Sequence, residues 1–301
     1  MKSTLLATVA LGALALSTPA LASAPDTGMV QVNIGFGWTD DDINTGGGDI
    51  FDDPFNYGGR TQWLFPLSKP IAVQGDLFID QMDNVFDSGF APNTDSTLYG
   101  GALHLIHPMD DSRLGVAASL FNVDAFGPAF GSGQKGVDYA LVAFEAQFFT
   151  PQMTWFGQGG WFSDISGCDG LPGCITDGFF LRGSATYFLS KNTALSFDAN
   201  VAFGDDEFLG NVESQAARLE AEHKFDSSSF AAFVGVSYEH EQVDTFFGST
   251  DENTVTIDLG LRAYIDQLTL FDFSQDGPSM STPNFHHALA SEGALELYTL
   301  P

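Results

Sequence analysis

Thr254–Ile265 reads TVTIDLGLRAYI. Val255, Ile257, Leu259, Leu261, Ala263 and Ile265 form an unbroken apolar set. Thr254, Thr256, Asp258, Gly260, Arg262 and Tyr264 alternate with them and carry all the polar groups. Successive side chains of a strand point to opposite faces, so this stretch is a strand with one apolar and one polar face. Met29–Trp38 sets Val30, Val32, Ile34, Phe36 and Trp38 against Gln31, Asn33, Gly35 and Gly37. Thr193–Phe203 sets Leu195, Phe197, Ala199 and Val201 against Ser196, Asp198 and Asn200.

Outward from these, about twelve segments alternate in the same way. They are 29–38, 55–67, 70–81, 96–107, 112–121, 136–149, 152–162, 178–190, 192–203, 212–225, 229–240 and 253–266. At roughly 10–14 residues each, they are long enough to cross a bilayer when tilted. Beyond the N-terminal leader, no segment approaches the ~20 apolar residues of a membrane helix.

The connections sort by length. Ser68-Lys69, Pro108–Asp111, Thr150-Pro151, Ser190-Lys191 and Asp226–Ser228 are tight. Thr39–Pro54, Met82–Asp95, Asn122–Lys135, Ser163–Asp177, Gly204–Asn211 and Glu241–Glu252 alternate with them and are long. A soluble sandwich has no reason to sort loops by parity. A membrane barrel does, with short turns at one end and long loops at the other. Aromatics cluster at both ends: Phe65, Phe148, Phe149, Trp155, Tyr187, Phe225, Phe230 and Tyr264 by the tight turns, and Trp38, Tyr57, Phe78, Tyr99, Trp161, Phe179, Phe203 and Tyr238 by the long loops. Two such belts fit the two bilayer interfaces.

Composition agrees. The 301 residues hold 10 Lys+Arg and 39 Asp+Glu, a formal charge of −29, yet only 16% are charged and 13% are aromatic. That aromatic content is too high for a disordered acidic chain. The missing basic face argues against nucleic acid as a partner. Met1-Lys2, the apolar run Leu5–Leu16 and Ala20-Leu21-Ala22 read as a secretory leader, residues 1–22, cleaved after Ala22.

Over residues 28–266 the chain resembles Gram-negative outer-membrane β-barrels, in a loose sense porins, by this architecture rather than by a short signature. The resemblance implies an antiparallel transmembrane β-barrel of about 12 strands in the outer membrane. Short turns would face the periplasm and long acidic loops the outside, with lipid and lipopolysaccharide as neighbours. The barrel domain is 23–266. Such barrels often end on a strand closed by a terminal Phe, whereas this chain runs on for some 35 residues past Ile265. Asp258-x-Gly260 with Tyr264 is a loose form of that closing strand, and 267–301, with Pro278, Pro283, His286 and His287, reads as a periplasmic tail. The alternative gives the tail two more short strands, Leu268–Phe273 and Leu295–Leu300.

All five arginines share the inner parity: Arg60, Arg113, Arg182, Arg218 and Arg262. On the lipid face each would cost about 2–4 kcal/mol at mid-membrane. Asp76, Asp80, Glu145, Asp198, Glu220, Glu222, Glu239 and Asp258 share that inner set. Counting through the tight turns puts Arg60 beside Asp76 and Arg182 beside Asp198. Eight strands leave room only for side chains and sixteen leave a channel, so twelve admits two readings. One is a narrow pore for small polar or charged solutes, lined by Arg and carboxylates, which is the expectation adopted. The other is a non-conducting structural or surface-interaction barrel whose lumen is filled by salt bridges.

The long connections hold 20 of the 39 acids against one base, Lys135. Asp40-x-Asp42-x-Asn44-x-Gly46 is a poor calcium loop, with its glycine one place late and Phe51 where a bidentate Glu belongs. No metal site or cofactor is expected. Cys168 and Cys174, the chain's two cysteines, share one long loop and are expected to form a structural disulfide after export. As a lipid-hydrolysing enzyme the chain would need a Ser and a His together. Turn counting sets His104 nearer Gly115 or Val116 than Ser119, and no His-x-Ser pair, Gly-x-Ser-x-Gly elbow or zinc helix motif occurs. An interior hydrogen bond is the expected role of His104, and no enzyme activity is expected.

Two hairpins match at a constant offset of 122 residues. Arg60, Phe65, Leu67, Ser68, Lys69, Ala72 and Asp76 correspond to Arg182, Tyr187, Leu189, Ser190, Lys191, Ala194 and Asp198. A weaker match at offset 116 pairs Leu103, His107, Asp110 and Ser112 with Leu219, His223, Asp226 and Ser228. Either two six-stranded halves arose by duplication, or similar hairpins converged on similar turn residues.

Overall fold

The computed structural model describes residues 27–41, 55–68, 70–83, 95–126, 135–167, 175–206, 210–245, 248–265, 269–283 and 289. The strands are β1 (Thr27–Asp41), β2 (Phe55–Ser68), β3 (Ile71–Asp83), β4 (Ser96–Met109), β5 (Ser112–Phe126) and β6 (Lys135–Phe149). They continue as β7 (Met153–Asp164), β8 (Ile175–Ser190), β9 (Thr193–Asp206), β10 (Asn211–Lys224), β11 (Phe230–Thr245) and β12 (Gly248–Tyr264). Every strand pairs antiparallel with its sequence neighbours, and β1 pairs with β12 from Met29↔Tyr264 to Asp41↔Glu252, closing the barrel. Closure leaves no edge, so every strand's backbone finds partners within the wall. A sheet facing hydrocarbon requires this.

The period-two pattern decides which face is which. Leu103, Val142, Phe144, Leu181, Leu219 and Leu261 point outward and are exposed, Phe144 by 78%. An exterior this apolar suits lipid, not water. Trp38, Tyr99, Trp161, Phe179 and Tyr238 are exposed toward the long-loop end, and Phe148, Trp155, Tyr187, Phe225 and Phe230 toward the short-turn end. Three aromatics expected in these belts face inward instead. Phe78 is buried under the Arg60 guanidinium, Phe149 lies 5.4 Å from that of Arg113, and buried Tyr264 bonds Glu222. Guanidiniums inside the barrel hold the two phenylalanine rings, and the Glu222 carboxylate holds the tyrosine hydroxyl.

The strands run past their expected ends at the long-loop side. The largest correction is Glu241–Glu252, expected as a loop: β11 and β12 stay paired through it, from Glu241↔Glu252 to Thr245↔Gly248. Above the bilayer a strand needs no apolar face, so its alternation disappears from the sequence while its ladder continues. The Asp42–Gly46 part of the acidic loop, Cys168, Cys174 and the leader lie outside the described residues.

The 122-residue offset is structural as well. Ser68↔Ile71 and Ser190↔Thr193 close the two hairpins in the same register, with the same irregularity at Pro66/Ser68 and Phe188/Ser190. The 116-residue match is not: His107 faces Leu114, but His223 faces Ala232, two places beyond the equivalent partner.

The tail corrects a further expectation. Leu270–Asp276 forms a short helix, α1, in place of the strand alternative at Leu268–Phe273. The Thr269 hydroxyl caps it by accepting from the Asp272 amide at 3.1 Å. Leu270 and Phe273 are buried against Met29, Phe188, Ala194, Ala231 and Tyr264, all on the inner face at the short-turn end. The Phe271 amide donates to the carbonyl of turn residue Lys191 at 3.1 Å. Residues 270–282 enter the barrel mouth at its short-turn end, because α1 has an apolar face to bury and the following main chain has carbonyls that interior donors satisfy.

Candidate functional site: the lumen

The two halves of the lumen differ. Around β3–β7 it is filled. His104 is fully buried, with Nδ1 2.9 Å from Glu145 Oε1 and Nε2 3.4 Å from Asp76 Oδ2. Gln62 and Gln74 donate to Asp76 at 3.0 and 2.8 Å, and Gln158 donates to Glu145 at 3.1 Å. Two carboxylates and an imidazole out of water survive only with such donors. Ser119 donates elsewhere, to the Gly101 carbonyl at 3.0 Å, and its strand register sets it opposite Ala102, while His104 faces Ala117. The structure does not bring Ser119 and His104 together.

The other half holds a polar cavity of about 440 Å³. Its walls include Arg60, Asp80, Arg182, Asp198, Arg218, Glu220, Asp258 and Arg262, while Pro278, Ser279, Ser281 and Thr282 of the tail line it from within. Of the residues expected to line the lumen, Asp76, Arg113 and Glu145 belong to the filled half.

Arg182 pairs with Asp198, Nη2 to Oδ2 at 2.7 Å. Arg60 and Asp76 form no such pair. In their place Arg60 lies 5.7 Å from the Phe78 ring and donates to the Thr282 carbonyl at 3.2 Å. The reason lies in the non-matching positions of the repeat. At offset 122, Gln62 and Gln74 become Ser184 and Ser196. The glutamines, with His104, occupy Asp76, whereas the shorter serines leave Asp198 to arginine.

Between β10 and β12 the charges form one network. Arg218 binds both oxygens of Asp258, one of them at 2.7 Å, and reaches Glu220 at 2.8 Å. Arg262 reaches Glu220 at 2.7 Å and Glu222 at 2.5 Å, and its Nε donates to Gln31 at 2.9 Å. Its guanidinium also lies 4.3 Å from the Phe233 ring. Arg218 reaches Asp258 across β11 because Gly235 stands between them. A Cβ there would come within 2.4 Å of Arg218 Nη2. Inner parity could have flagged Gln62, Gln74 and Gly235. Nothing in the alternation points to the tail.

The tail is read through its main chain. Arg113 donates to the Gly277 carbonyl at 2.7 Å, to the Gln275 carbonyl and to Ser279 Oγ at 3.2 Å. Gln62, at 2.9 Å, and Gln74 donate to the Met280 carbonyl. Arg182 takes the Ser281 carbonyl and hydroxyl, both at 2.9 Å. Met280 itself is fully buried against Ala72, Ile106 and Phe156.

No family model matches the chain, and no curated protein matches it. Among solved structures, an outer membrane channel from Pseudomonas putida F1 aligns over 82% of this chain and 98% of its own, at 10% identity and a TM-score of 0.56. The P. putida toluene transporter TodX aligns over 82% and 92%, at 11% identity and a TM-score of 0.46. A KdgM porin in complex with disordered oligogalacturonate aligns over 77% and 98%, at 8% identity and a TM-score of 0.42. The first likeness shows a shared fold. This chain is an antiparallel membrane β-barrel, similar in fold to an outer-membrane channel.

Proposed function

We propose that this barrel is a narrow outer-membrane channel for small polar or charged solutes. The observation that carries the reading is the charged cavity inside a wall whose exterior is apolar. A solute in that cavity exchanges water for guanidinium, carboxylate, amide and hydroxyl groups, as narrow pores require. The fold shared with the P. putida F1 channel supports the architecture. The lining that acts on solute is Arg60, Asp80, Arg182, Asp198, Arg218 and Asp258, while Asp76, Arg113 and Glu145 brace the filled half. Residues 1–22 direct export, Cys168 and Cys174 stiffen their loop, and the acidic outer face sits among lipopolysaccharide.

Single-channel recording tests this. Refolded protein in a planar bilayer under a salt gradient is expected to give discrete current steps. The reversal potential then reports whether arginines or carboxylates govern selectivity. Inserted protein that passes no current at any applied voltage overturns the channel. The observation favouring the non-conducting alternative is the buried Asp76–His104–Glu145 cluster, which fills half the lumen.

A further inference from the structure

We propose that residues 269–283 are a releasable plug, held in a main-chain-binding site of the lumen, whose departure opens the channel. This rests on the channel reading above. It adds a closed state and names its occupant, a segment of the chain itself.

Three observations carry it. First, the plug stands where flow must pass: α1 occupies the short-turn mouth, and Ser279–Thr282 rise to the level of Arg60 and Arg182. Second, its attachments are chemically unlike those of the wall. The strands are joined by continuous backbone ladders. The tail's Gln275, Gly277, Met280, Ser281 and Thr282 carbonyls accept from side chains of β2, β3, β5 and β8. Water can replace each of those donors, and each donor is a polar group that a solute could use instead. Third, the topology permits release. The plug begins at Thr269, after β12 ends at Tyr264, and Phe271 bonds turn residue Lys191, so its withdrawal through the short-turn mouth breaks no strand pair among the described residues. Its apolar anchors among the described residues are Leu270, Phe271, Phe273 and Met280.

A cross-link in the full chain tests it. Thr154 Oγ1 and Ser274 Oγ lie 2.7 Å apart, joining β7 to α1. Thr154→Cys with Ser274→Cys puts two sulfurs at that contact, close enough to bond. Cys168→Ser and Cys174→Ser remove competing thiols. The expected result is an oxidised barrel with current lower by on the order of tenfold or more than the same protein after reduction. A second full-length variant, Arg113→Ala, removes the donor to Gln275, Gly277 and Ser279. Its open probability is expected to rise roughly tenfold to a hundredfold, the equivalent of one charge-assisted hydrogen bond. A merely structural role would lower its stability and leave open probability unchanged. Equal current from oxidised and reduced barrels, with Arg113→Ala opening no more often than the native chain, overturns the plug and leaves the channel standing. Silence of every form, inserted and folded, overturns the channel and the plug with it.

Discussion

Arg182 grips Asp198 with two nitrogens, Nε at 3.0 and 2.9 Å from the two carboxylate oxygens and Nη2 at 2.7 Å from one of them. The pair is only partly shielded from water, with the two side chains 14% and 22% exposed, and it faces the cavity. Its charges are therefore part of what a solute meets. Asp198→Asn keeps the shape and frees the guanidinium charge. The expected outcome is a shift of the reversal potential toward anion preference, with a stability loss of about 1–3 kcal/mol at most. A reversal potential that stays put would show that ions do not pass this pair.

In the filled half the same substitution logic gives a different result. His104 lies directly between buried Asp76 and Glu145, its ring nitrogens 3.4 and 2.9 Å from their carboxylates. His104→Ala leaves two carboxylates out of water with amide donors alone. Stripping one partner from a buried charge cluster costs about 3–5 kcal/mol. Urea unfolding of the liposome-inserted protein is expected to show that loss at neutral pH. Adding Asp76→Asn and Glu145→Gln removes the stranded charges and is expected to recover most of the deficit. A triple variant no more stable than His104→Ala would point to lost packing rather than stranded charge.

Leu103 probes the other face. It sits mid-way along β4 and is 64% exposed on the exterior. Leu103→Arg is expected to destabilise the barrel by about 2–4 kcal/mol in a bilayer, the cost of an arginine near the midplane of a lipid-facing wall. Folding into liposomes measures it, with Leu103→Ala as the control for lost apolar area. If arginine costs no more than alanine, that face is not in lipid.

What could be read from the sequence follows from what alternates. Leu103 outward and Arg60 inward were both legible, because one period sorts lipid-facing from lumen-facing side chains along the whole wall. The paired ends of β11 and β12 were not, since Glu241–Glu252 carries no apolar alternation. Parity also put Arg60 and Asp76 on one face without deciding whether they touch. That depended on Gln62 and Gln74, two residues whose amides outcompete the guanidinium for the carboxylate. The tail was illegible for a further reason. Gln275, Gly277 and Met280 are recognised by their carbonyls, and a carbonyl is the same in every residue.

Gly235 gives the sharpest separation of site from scaffold. Its two cross-strand neighbours are Glu220 and Asp258, so it lies in the path that Arg218 takes over β11. The three atoms nearest an added Cβ all belong to the Arg218 guanidinium, at 2.4 to 2.9 Å. That end of the side chain is flexible and can swing aside, so β11 itself need not move, and the cost of Gly235→Ala is that of the broken pair, about 1–3 kcal/mol. The substitution should lift Arg218 off Asp258 and leave that carboxylate facing the cavity. The expected outcome is a urea-stability loss no larger than that of Arg218→Met, with a reversal potential moved toward cations, opposite in sign to Asp198→Asn. Arg218→Met removes the same guanidinium without touching β11, and it should move selectivity the same way. If Gly235→Ala unfolds the barrel while Arg218→Met does not, the glycine serves the backbone of β11. If neither moves the reversal potential, the Arg218–Asp258 pair lies off the path of the ions.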